Sequence, residues 1–141
     1  MQLTGAPYPI EKHPRGYFHP QYGVDQLKSD LLILLLTNPG ERVMMPDYGT
    51  PLRTLMFEPN DEIIQEEARE MIINSISLWE PRITVDQIEV VASVDDLDAL
   101  DELDRSQPDN GHILGIKITF FDPTNIKDVQ VLKLEVPLSN D

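Results

Sequence analysis

The chain contains no cysteine, which excludes disulfide staples, thiolate metal sites and a cysteine nucleophile. That absence fits a reducing compartment. Basic residues are scarce: 11 Lys and Arg stand against 25 Asp and Glu, a net charge of −14. Binding to bare nucleic acid is disfavoured, because phosphate contacts need clustered Lys and Arg. An acidic surface suits solubility and basic protein partners. Long apolar runs are missing too. The most apolar stretch, residues 31–36, falls far short of the roughly 18 residues a membrane span needs. No basic segment followed by an apolar run opens the chain, so the expectation is a protein made and used in the cytoplasm, or built into an assembly there. The three histidines, His13, His19 and His112, are scattered with no His-x-x-x-His spacing. No Gly-x-Ser-x-Gly elbow, P-loop or Gly-x-Gly-x-x-Gly fingerprint occurs. No cofactor and no metal is therefore expected.

What is present is enough for one domain with a real core, since the chain has 141 residues and a hydrophobic content of 40%. Residues 1–22 read as an arm. Pro7, Pro9, Pro14 and Pro20 interrupt regular structure, and Tyr8, Tyr17, Phe18 and Tyr22 sit between them. A loose terminus and an arm lying on a neighbour are both open readings. The remainder, 23–141, is the main domain. Its first helix is expected over 24–38, capped by Asp25, with Val24, Leu27, Leu31, Leu34 and Leu35 on one face. Ile33 and Leu36 make its second half apolar nearly all round, so more than one side should be covered. A loop follows over 40–49, then a short helical turn over 50–57 with Leu52, Leu55, Met56 and Phe57 inward.

The longest helix is expected over about 61–80, capped by Asn60 or Asp61. Ile64, Ala68, Met71, Ile72, Ser75, Ile76 and Trp79 fall on one stripe at helical spacing. The period then changes to two. Ile83 and Val85 alternate, Asp86 and Gln87 interrupt, and Ile88 and Val90 resume on the opposite parity, which predicts a bulge. Leu114, Ile116, Ile118 and Phe120 mark a second strand over 112–121. A third runs over 128–136, with Val129 and Val131 changing parity to Leu132, Leu134 and Val136. Between the first two strands, 93–110 is an acidic loop or one loose helical turn, without the glycine and glutamate of a calcium loop. The fold class is α+β: N-terminal helices, one of them long and central, packed on a small three-stranded antiparallel sheet.

One junction stands out, Trp79-Glu80-Pro81-Arg82. Proline disfavours helix in the residue before it, so the long helix should stop at Glu80. A carboxylate at the negative end of a helix dipole is unfavourable and invites a cation. Arg82, Arg42 and an arginine of another chain are the candidates. Glu41 and Arg42 are adjacent opposite charges, read most simply as a solvated pair. Carboxylates are numerous, so a glycoside hydrolase using Glu58 and Glu80 is the enzymatic alternative. Such enzymes hold two acids about 5–10 Å apart across a sugar cleft. Nothing in the sequence places these two together, and aromatics that would stack sugars are only 6%.

Four segments then occur in order: Gly40-Glu41-Arg42, Pro46-Asp47-Tyr48-Gly49, Leu55-Met56-Phe57-Glu58-Pro59 and Trp79-Glu80-Pro81-Arg82-Ile83. This series, across about 24–136, resembles the small baseplate wedge proteins of contractile phage tails, a family that extends to a baseplate subunit of type VI secretion systems. The resemblance implies a non-enzymatic structural role in multiple copies around a six-fold assembly. The virion tail baseplate, assembled in the host cytoplasm, is the implied location, or the cytoplasm for a secretion system. Some members carry a lysozyme-like name, which keeps a baseplate-associated glycoside hydrolase as the alternative. Two contacts are implied. Glu80, Pro81 and Arg82, with Trp79, Glu41 and Arg42, would dock on the helical core bundle of neighbouring wedge proteins. The sheet would accept an added strand from the tail sheath protein, through Val129, Val131, Leu132, Leu134 and Val136 or through 87–92. No nucleic acid and no membrane is implied.

Overall fold

The computed structural model describes residues 4–57, 62–91, 113–123 and 125–137. The expected caps Asn60 and Asp61, Glu58, the acidic stretch 93–110, His112 and the side chains of Met56 and Phe57 lie outside the described residues. The chain divides into two units, Met1–Thr50 and Pro51–Asp141.

In the first unit, β1 (Thr4–Gly5) pairs antiparallel with β2 (Gln21–Tyr22), and α1 (Gly23–Leu36) follows at once. The proline-rich stretch between the two strands makes its own hydrogen bonds. Lys12 bridges Phe18, the His13 amide donates to the Tyr17 carbonyl at 2.6 Å, and the His19 amide donates to Glu11 at 2.9 Å. On α1 the predicted face is buried at Leu27, Leu31, Leu34 and Leu35, with Val24, Ile33 and Leu36 half-buried.

The expected cap is corrected. Tyr22 holds the cap position without a side-chain bond, and Asp25 lies in the first turn. The cause is Gly23, whose φ of 61° turns the chain from β2 straight into the helix ahead of Asp25. The helix also ends early, at Leu36, where Thr37 turns extended (φ −92°, ψ 128°) while its amide and its hydroxyl both donate to the Ile33 carbonyl, at 3.1 Å and 2.6 Å.

Ser29, itself buried, joins the proline-rich stretch to α1. Its hydroxyl accepts from the Tyr8 amide at 3.2 Å and donates to Gln21 Oε1 at 2.6 Å. Ser29→Ala strands both partners, and Tyr8 is half exposed to water, so the expected cost is about 1 kcal/mol. Chemical denaturation measures it, and faster exchange of the Tyr8 amide should accompany the loss.

In the second unit a 3-10 helix, Leu52–Phe57, buries Leu52 and Leu55. The long helix α2 (Glu62–Trp79, 18 residues) buries Ile64, Ala68, Ile72, Ser75 and Ile76, with Met71 and Trp79 half-buried, as its stripe requires. β3 (Thr84–Val91), β4 (Ile113–Asp122) and β5 (Asn125–Pro137) form one antiparallel sheet with β4 central, and α2 lies against β3.

The bulge falls where the parity slip placed it. Val85 faces Phe120 and Gln87 faces Thr119, leaving Asp86 extra. Val85 and Ile88 thereby reach the same sheet face. Leu114, Ile116, Ile118 and Phe120 are all buried on that face, joined by Leu132 and Val136, with Leu134 half-buried. The parity change in β5 has a different cause. Its register with β4 runs unbroken from Val129 to Pro137, so Val129 and Val131 simply occupy the opposite, exposed face.

Candidate functional site: the carboxylate–guanidinium corner and the open sheet edges

Pro81 stops α2 as expected. The last helical bond is the Glu80 amide donating to Ile76 at 2.8 Å, and Ile83, buried, begins the return. No basic residue lies in the last turn of α2, so its negative end carries only the acid of Glu80. Glu80 is 5% exposed. Arg82 answers it with both arms of its fork: Nε donates to Oε1 and Nη2 donates to Oε2. Such two-pronged pairing is the geometry guanidinium and carboxylate favour. The Arg82 side chain nevertheless keeps 39% of its surface exposed. Pro81 is exposed, Trp79 is half-buried, and Leu78 in the last turn is 68% exposed. The corner is thus a preformed ion pair rimmed by apolar surface.

Glu41 and Arg42 lie in the other unit and are not a simple solvated pair. The Glu41 carboxylate accepts from the Asn38 amide at 2.9 Å and from Asn38 Nδ2 at 2.8 Å. The Arg42 guanidinium lies 4.3 Å from the Tyr48 ring centroid, a cation–π contact. Both hold the shape of the 38–50 loop, whose base is closed by the Thr50 amide donating to Thr37 at 2.9 Å.

The sheet has two outer strands, β3 and β5, and no described strand pairs with the far side of either. Val129 and Val131 project from the exposed face of β5, with Ile126, 66% exposed, near its start. Leu132, Leu134 and Val136 face the core and can contribute only backbone to an added strand. Beside the β3 bulge a cleft of about 420 Å³ is lined by Arg69, Ile73 and residues 85–89. Arg69 lies off the apolar stripe of α2 and is half-buried. Its Nη1 does pair with Glu66 at 2.7 Å, but its Nε is buried without an acceptor among the described residues.

Both oxygens of Glu80 are taken up by Arg82, and Glu58 lies outside the described residues. Among the described residues no group of three or more His, Cys, Asp or Glu could hold a metal. Fold and corner together give an α+β subunit with a partly exposed polar corner and sheet edges that no described strand covers. The chain belongs to the baseplate wedge protein gp25 family, whose model matches residues 21–106.

Among relatives, baseplate wedge protein gp25 of Enterobacteria phage T4 is 25% identical over 118 residues, covering 84% of this chain and 78% of that protein. A chain of the anti-feeding prophage baseplate superposes with a TM-score of 0.67 at 23% identity, over 90% of both chains. A Geobacter sulfurreducens protein described as a tail lysozyme superposes at 0.64 with 21% identity, over 82% of this chain and 90% of that one. The last two show the shared fold. Family membership makes this chain a structural baseplate wedge subunit rather than an enzyme.

Proposed function

We propose that the subunit docks on helices of neighbouring wedge proteins through Trp79, Glu80, Pro81 and Arg82, aided by Glu41 and Arg42, and that β5 offers its outer edge to an extended strand of the tail sheath protein. The observation that carries the docking reading is the half-open arginine over a buried acid. Glu80 fixes the guanidinium, so little side-chain entropy is lost when a partner covers it. The exposed Leu78 and Pro81 supply the desolvating rim that surrounds strong interface contacts. Repetition around a six-fold ring, assembly in a host cytoplasm, and a place in either a phage tail or a secretion machine belong to the same proposal and rest on the family resemblance.

The strand-addition half has a direct test, because backbone N–H groups of an edge strand point alternately toward β4 and away from it. Proline is introduced singly at Val129, Gln130, Val131 and Leu132. Where the N–H faces β4, proline breaks the ladder and destabilises the fold. Where it faces outward, the protein should fold with near-parental stability yet fail to recruit sheath protein in reconstituted assembly. If every stable proline variant still recruits sheath, β5 is not the acceptor edge.

A further inference from the structure

The proline-rich stretch before α1 forms one side of a cleft of about 340 Å³. Tyr8, Tyr22, Glu11, Asp25 and His19 line it, and no lysine or arginine does. Tyr8 and Tyr22 are 45% and 48% exposed, and the carboxylates of Glu11 and Asp25 are exposed as well. Neither carboxylate has a hydrogen bond or ion pair with any other described residue. The backbone beneath them is already fixed, by the Tyr8 amide on Ser29 and the His19 amide on Glu11. Further along, Tyr17 and Phe18 are 81% and 71% exposed, so the apolar surface continues past the cleft. Most of this wall lies before residue 21, where the family match begins.

We propose that this cleft receives an arginine side chain from an extended segment of a partner protein. Two unpaired carboxylates offer charge-assisted acceptors. Two tyrosine rings offer π faces, on which a planar guanidinium stacks better than an ammonium does. The net charge of −14 steers a basic segment toward the site. Exposed aromatics on a backbone that is hydrogen-bonded before binding are suited to recognition, since little ordering remains to be done. The site is independent of the Glu80–Arg82 corner.

The test is an NMR titration of the isotopically labelled full chain with N-acetyl-arginine N-methylamide, run beside the lysine and glutamate analogues. The arginine compound should produce saturable shifts at Tyr8, Tyr22 and Asp25, about threefold tighter than the lysine compound. The glutamate compound should leave those signals in place. In the Glu11→Gln, Asp25→Asn double variant, arginine affinity should fall by about fivefold. Both positions are exposed, so the rest of its spectrum should stay unchanged. Equal binding of lysine and arginine, undiminished binding by the double variant, or no saturable shift at either tyrosine overturns the proposal.

Discussion

Replacing Arg82 with alanine is expected to destabilise the second unit and abolish incorporation into wedges. The substitution takes the guanidinium away from Glu80, a residue 5% exposed with Arg82 in place, at the negative end of α2. Losing one partner of a fully buried pair costs about 3–5 kcal/mol. Water already reaches the arginine side, so the expected loss here is about 2–3 kcal/mol, on the order of 10 °C in Tm. Glu80→Gln in the Arg82→Ala background should recover part of it, because a neutral amide is cheaper to bury than an unpaired charge. That recovery separates the two roles of the corner. Stability should return with the neutral amide, whereas the proposed docking through the arginine should not. Urea denaturation of both variants, beside a wedge-incorporation assay, reads the two effects apart.

Gly49→Ala is expected to cost more than about 3 kcal/mol. Gly49 has φ of 125°, a conformation that side-chain-bearing residues rarely adopt. An added Cβ would also stand 2.9 Å from the Thr37 carbonyl carbon and closer still to its oxygen. That oxygen accepts the Thr50 amide bond that closes the 38–50 loop. The clash is with backbone, so no rotamer relieves it. The loop carries Glu41 and Arg42, and its opening should loosen both. Denaturation curves give the cost, and exchange of the Thr50 amide locates it. A loss below about 0.5 kcal/mol, the range of neutral surface substitutions, would contradict this account of the loop.

Both helices and all three main strands were legible because each carries an unmixed period. The α2 stripe from Ile64 to Ile76 and the β4 alternation from Leu114 to Phe120 are set by burial on one face, which sequence records directly. The bulge at Asp86 was legible for the same reason, as a change of parity. Capping was misread at Asp25, because the start of α1 is set by the backbone freedom of Gly23 rather than by a side-chain acceptor. The hairpin within residues 4–22 was illegible. Its order comes from backbone bonds and from one buried serine, Ser29, neither of which leaves a periodic pattern. The parity change in β5 was visible, but a two-faced strand and a slipped register look alike until the partner strand is known. Of the corner, sequence indicated the misplaced acid at Glu80 and three candidate partners. That Arg82 pairs with Glu80 depends on where the chain turns after Pro81, which sequence does not record.

The central claim is that the corner at Pro81 is a contact surface for another wedge protein. Site-specific photocrosslinking tests it most directly, with a benzophenone side chain placed at the exposed Leu78 and, as a control, at exposed Glu70 on the same helix. In reconstituted wedges, Leu78 should give a covalent product with a helical wedge partner and Glu70 should give none. A folded, incorporated Leu78 variant that yields no such product would contradict the account.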